Sequence, residues 1–237
     1  SPPATFDELL ALGQPLLFAG GAAEDLHPSL ALALYLAGGG QVNESGLFTD
    51  ASIAADVCRF LESGREEVLF PDSTLTLSSA QAVWTFFTNG DAPMAIVPAT
   101  LYRSRQNEQR DSGFARLPGA ERQNRTVIAT WNFALAAQQG ERRERALALL
   151  QALFVPHIHG DWSREARQIP TQAAALAYWD EDDPFAAFVD ELLRGELTSP
   201  YGAVLLPLAR AMQQGQRAVL LGEMSADGVI STLPVVR

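Results

Sequence analysis

Residues 79–104, SAQAVWTFFTNGDAPMAIVPATLYRS, leave few folds open. Ala80, Val83, Trp84 and Phe87 stand at i, i+3, i+4 and i+7, so they share one apolar face of a helix over 79–88 that must pack against something larger. Asn89-Gly90 supplies the left-handed turn that stops it, and residues 93–97 have the length and bounds of a buried strand. Pro98 ends that strand. Thr100, Tyr102 and Arg103 then fall in a loop at its carboxyl end, where open α/β sheets place their ligands. Tyr102 is therefore the centre of the first candidate site.

The flanking segments repeat the helix-and-strand alternation. Thr5-Phe-Asp-Glu8 is a capping box that starts a helix ending at Gly13, and residues 15–18 form a short buried strand. Pro28 opens a helix that Gly38, Gly39 and Gly40 close; because these glycines follow a helix instead of preceding one, they read as a stop and not as a phosphate cradle. Asp50 caps a further helix ending at Gly64, and 65–78 is a connector with a strand-like patch. Residues 113–117 read as a strand. So does 126–137, interrupted at Thr130, Trp131 and Asn132, where an aromatic between two hydrogen-bonding side chains makes a second candidate site. Ala146, Leu147, Leu150, Leu153 and Phe154 mark the apolar face of a helix over 141–154 that Pro156 closes, and a short amphipathic helix covers 162–167. Asp183-Pro184 starts a helix with Phe185, Phe188, Val189, Leu192 and Leu193 inward, and a last long helix turns Leu208, Met212, Val219 and Leu220 inward.

Composition removes several functions. The 28 acidic residues against 17 basic ones give a net charge of −11, which opposes nucleic acid and anionic lipid. All the basic residues are arginine. Without lysine there is no P-loop, no Schiff base and no S-x-x-K hydrolase. Cys58 sits among Ile53, Val57, Phe60 and Leu61 and reads as a small core hydrophobe; alone, it forms no intrachain disulfide. His157, His159 and Asp161 fall in a polar loop after a helix end and read as surface, not metal ligands, while Asp180 to Asp183 read as a solvated helix start. Ser1 is not an initiator methionine, so the sequence reads as a processed product or a piece with trimmed ends.

Taken in order, PPATFDELLALG, AVWTFFTNGDAPMAIVPATLY, GFARLPG, ATWNFALAA, RRERALALLQALF and RQIPTQAAAL resemble the extracellular solute-binding proteins of ABC importers, family 1, the maltose-binding-protein-like group. The resemblance implies an α/β, periplasmic-binding-protein-like (type II) fold, a mixed sheet with helices on both faces. Most of the family's N-terminal lobe would precede this start, so the chain is largely the C-terminal lobe: residues 1–125 and 196–237, with 126–195 returning through the hinge. It implies closure of two lobes on a ligand. Carried onto this sequence, the cleft positions are Tyr102, Thr130, Trp131, Asn132, the loop with Asp25 and His27, and the region of Tyr201. The ligand is a small molecule, a carbohydrate by the stacking and hydrogen-bonding side chains at those positions. The partner is a membrane permease, with no nucleic acid, no cofactor, no metal and no catalysis. The protein is expected as a monomer, extracellular or periplasmic, with a membrane anchor through a removed N-terminal lipoprotein signal. Two other readings stand beside it: a sensor or interaction domain of the same fold without a transport role, and an α/β hydrolase, which the absence of G-x-S-x-G disfavours.

Overall fold

Thr5 Oγ1 accepts from the Glu8 amide at 3.2 Å and starts helix α1 (Phe6–Ala11). Glu8 reaches back one residue further than a capping box requires, to the Ala4 amide at 2.8 Å. The computed structural model describes residues 2–21, 29–108, 112–121, 125–130, 132–199 and 205–234. After α1 come β1 (Leu16–Leu17), α2 (Leu30–Ala37), α3 (Ala51–Glu66), α4 (Ala80–Thr88), β2 (Met94–Ala95) and α5 (Ala99–Arg105). Then follow β3 (Thr126–Val127), α6 (Gly140–Leu153), α7 (Pro156–Glu165), α8 (Pro184–Arg194), β4 (Leu197–Thr198), α9 (Leu206–Leu220) and α10 (Ala226–Thr232). Short 3₁₀ turns lie at Asp72–Leu75, Gln106–Glu108 and Ala173–Tyr178.

The class is α/β, with little strand and much helix. β1 pairs parallel with β2 (Leu16 opposite Met94) and β3 pairs parallel with β4 (Thr126 opposite Leu197). Parallel partners need long crossovers, and here helices supply them. The run LALALYLA makes α2 apolar all round and therefore central; α3 and α9 pack on it in the main core, and α10 packs on α3 and α9. One unpaired amide at its start, that of Ala31, is met by Gln216 Oε1 of α9 at 2.8 Å, in the interior. A second cluster joins Leu17, Leu77, Val83 and Ala92. A third packs Leu176, Trp179, Phe185 and Val189 against Tyr102 and Phe114.

The inward faces expected of 79–88, 184–195 and the last long helix are buried as the spacing requires, at Val83, Trp84, Phe185, Val189, Leu208, Met212, Val219 and Leu220. Several local expectations change. Ser29, not Pro28, caps α2, its Oγ accepting from the Leu32 amide at 3.2 Å; Pro28 itself lies outside the described residues. Gly64 lies inside α3, where a Cβ would stand 2.3 Å from the Phe70 ring, so this glycine serves close packing and not a stop. Residues 65–78 carry the end of α3 and a 3₁₀ turn in place of a strand, 113–117 form no strand, and among the described residues of the 126–137 run only Thr126–Val127 form a strand. The triple glycine is a stop. Gly39 takes φ +94°, and a Cβ on Gly40 would meet the Tyr35 ring at 2.4 Å.

α6 forms where expected, yet none of its residues is buried. Leu149 is 61% exposed, and Leu153, Phe154 and Phe133 beside it are exposed too. His157, His159 and Asp161 stand on α7, not in a loop, because Pro156 takes the first helical position after the extended Val155. His159 is buried between Phe154 and Trp162, ring centroids 5.3 and 6.3 Å away, and its Nδ1 has no hydrogen-bond partner among the described residues. Burial pushes the imidazole pKa below its ordinary value. The unfolded chain therefore binds this proton more readily. The stability that the neutral ring contributes is complete above about pH 6.5 and is lost as pH falls from there through the lower folded value. Urea midpoints should drop between pH 7.5 and 5.5, and His159→Leu should flatten that drop. An equal drop in the variant would assign the effect elsewhere.

Candidate ligand-binding site

Pro98 does not merely end β2. Its carbonyl accepts from the Leu101 amide at 2.9 Å and the Tyr102 amide at 3.2 Å, so the chain turns directly into α5. The loop expected around Tyr102 is thus a helix, and its two faces have different duties. Tyr102 points into the third core cluster, half-buried, with ring centroids of Phe185, Phe114 and Trp84 at 5.1, 5.6 and 6.2 Å. Its hydroxyl donates to the Ser112 carbonyl at 3.4 Å. Thr100, Leu101 and Ser104 line a cavity of about 350 Å³.

That cavity is completed by Ser79, Ala80 and Gln81 at the start of α4, by Pro98, and by Gln168 beyond α7. Among the described residues its lining holds hydroxyls, amides and apolar groups and no ionisable side chain. The α4 end is fixed by Ser79 Oγ, which accepts from the Ala82 amide at 3.2 Å, and by Trp84, whose indole N–H donates to Glu108 at 2.7 Å. This bond, with help from Arg105, holds the Glu108 carboxyl below the usual carboxylate range.

At the other end of α5 a second, smaller cavity of about 170 Å³ is lined by Arg103, Asn107, Arg164, Arg167 and Asp180. Arg103 is buried, its Nη1 at 2.8 Å from Asp183 Oδ2 and its guanidinium carbon 4.5 Å from the Trp179 ring centre. Asp183 also accepts from the Phe185 amide at 2.9 Å and so caps α8. Trp179 in turn donates from Nε1 to Ser163 Oγ of α7 at 2.9 Å. One residue, Trp179, therefore ties α5 to α7.

Of the positions expected to meet a ligand, Tyr102 lies behind the cavity wall, and Thr130 and Asn132 are exposed without lining either cavity. Asp25, His27, Trp131 and Tyr201 lie outside the described residues. Gln168, Arg164 and Arg167 were not singled out in the sequence. They follow or end a helix whose start at Pro156 went unread, and nothing local marks them as neighbours of α5.

No family model matches the chain, and no curated protein matches it in sequence. Solved structures match it over nearly its whole length. Maltose-bound MalE3 of T. maritima is 19% identical, with a TM-score of 0.68 over 98% of this chain and 64% of that one. The cyclic α-maltosyl-1,6-maltose binding protein of Arthrobacter globiformis is 18% identical, with a TM-score of 0.70 over 98% of this chain and 62% of that one. A sugar transporter of Bacillus licheniformis in complex with stachyose is 16% identical, with a TM-score of 0.59 over 98% of this chain and 65% of that one. The chain thus has part of the periplasmic-binding-protein-like fold of these proteins and spans less than two thirds of the length of each. Among the described residues no helix is long and apolar enough to cross a membrane.

Proposed function

We propose that the chain is the larger part of a solute-binding protein of an ABC importer, that it works outside the cytoplasmic membrane as a monomer, and that it hands a carbohydrate to a membrane permease. The observation that carries this is the lining of the larger cavity. Ser79, Gln81, Thr100, Ser104 and Gln168 offer donors and acceptors without a charge, which suits a neutral polyhydroxyl ring better than an ion. Its size lies at the lower end of the ~300–1,000 Å³ typical of ligand sites. The fold shared with maltose- and stachyose-bound proteins agrees with it. So does the pairing of β3 with β4, which supports reading 126–195 as an excursion that leaves and re-enters the 1–125 and 196–237 lobe at one crossing. On this reading Tyr102 anchors α5 from behind. Thr130, Asn132, Trp131, Asp25, His27 and Tyr201 are the further positions that this reading expects to meet the ligand.

The test is thermal unfolding and calorimetry with maltose, stachyose, amino acids and polyamines. A sugar at about a hundred times its dissociation constant should add roughly 2.7 kcal/mol. Thr100→Val and Gln168→Ala should each weaken it several-fold, in line with the ~0.5–1.5 kcal/mol of a neutral hydrogen bond. A shift with amino acids or polyamines and none with sugars would remove the carbohydrate reading.

A further inference from the structure

The two cavities are neighbours along α5 and the end of α7. Arg103 and Arg167 line the smaller one and their chain neighbours Ser104 and Gln168 the larger, and Arg167 Nη1 donates to the Ser104 carbonyl between them at 2.6 Å. In a chain with a net charge of −11, three of the five described residues around the smaller cavity are arginines. Each is held in place. Arg103 is fixed by Asp183 and the Trp179 ring, and Arg164 by its Nη1 bond to the Tyr178 carbonyl at 2.9 Å. Asp183 faces Arg103, while Asp161 and Glu165 face Arg164, each at 3.4 Å. No carboxylate pairs with Arg167 among the described residues, and against it stands only the lining carboxylate of Asp180.

The backbone of Arg167 adds an independent observation. It ends α7 in the left-handed conformation, φ +53°, with the Gln168 amide bonded back to the Ser163 carbonyl at 2.9 Å. A helix stop of this kind favours glycine, which takes that conformation without strain. Arginine here costs backbone energy that a mere stop does not require. What arginine brings instead is a planar fork of donors suited to a carboxylate or phosphate.

We infer that the ligand is an acidic carbohydrate, with its neutral ring in the larger cavity beside Thr100 and Gln168 and its oxyanion in the smaller one against Arg167, Arg164 and Arg103. This rests on the proposed carbohydrate function and narrows it to sugars carrying a carboxylate or a phosphate. The ordering of the guanidiniums precedes binding, which limits the entropy lost when an oxyanion arrives.

The experiment compares digalacturonate, glucose 6-phosphate and maltose by calorimetry on the chain, on Arg167→Gly and on Arg167→Gln. At least one acidic sugar should bind about tenfold or more tightly than maltose, in keeping with a charge-assisted hydrogen bond. That preference should shrink as salt rises. Tighter binding of digalacturonate assigns a carboxylate, tighter binding of glucose 6-phosphate a phosphate. Arg167→Gly relieves the strained backbone, so it should melt no lower than the parent yet lose the preference for the acid; Arg167→Gln should lose the same preference. Maltose binding as tightly as both acids, or an undiminished preference in the glycine variant, overturns the acidic ligand and leaves the carbohydrate function standing. No binding of any sugar overturns both.

Discussion

Asp183→Asn should destabilise the protein by about 3–5 kcal/mol, the usual cost of breaking a buried ion pair from one side. The side chains of Arg103 and Asp183 are only 7% and 12% exposed, and they meet at 2.8 Å. Asparagine keeps the shape and can still accept from the Phe185 amide, so the α8 cap survives and the loss reads the charge alone. The pair also joins α5 to the start of α8 across 80 positions of sequence, so losing it loosens two elements at once. Arg103→Met should cost less, because the remaining carboxylate sits at a helix N-terminus that favours negative charge. Urea denaturation of both single variants and the double variant completes the cycle. The double variant should lose clearly less than the sum of the singles. A loss under about 1 kcal/mol for Asp183→Asn would show that solvent reaches the pair after all.

Trp179→Ala should cost a similar amount, about 3–5 kcal/mol, by the cavity it opens. Trp179 is 5% exposed, lies in the third core cluster beside Phe185 and Leu176, and gives both its ring face to Arg103 and its N–H to Ser163. Trp179→Phe keeps most of the packing and removes the N–H, so it should cost only about 1–2 kcal/mol. Denaturant midpoints of the two variants separate packing from the hydrogen bond. Gly160 shows how tight that contact is: a Cβ there would stand 2.4 Å from the Ala175 carbonyl oxygen. Equal losses in the alanine and phenylalanine variants would place the whole effect on the bond to Ser163.

The sequence displayed the parts of this structure that depend on periodicity. Val83 and Trp84, Phe185 and Val189, and Leu208 and Met212 are buried because apolar residues recur at helical spacing, and spacing is local. Proline marks the start of a helix as readily as its end. Pro98 and Pro156 each appear in the sequence as an end, yet each stands at the beginning of a helix, where its missing N–H costs nothing. Taken only as ends, they turn the Tyr102 helix into a loop and start α7 at residue 162 instead of Pro156, which leaves Arg164 and Arg167 without a visible link to α5. Asp183 illustrates a different limit. Within Asp180 to Asp183 all four carboxylates look alike, and only the fold brings one of them against Arg103. The polar cavity beside Thr100 was half visible for the same reason: its α5 side follows the strand as expected, while Gln168 arrives from a distant segment.

α6 adds one more property. Helices of its length are marginal in water by themselves, and a helix gains most of its stability by laying a face on a core. With none of its residues fully buried, α6 should not share in the cooperative melting of α2, α3 and α9. Its backbone amides should open to solvent by local fraying, at a free energy far below that of global unfolding. Deuterium entering the chain would thus trace two populations of amides: a slow one around α2 and a fast one along residues 140–153.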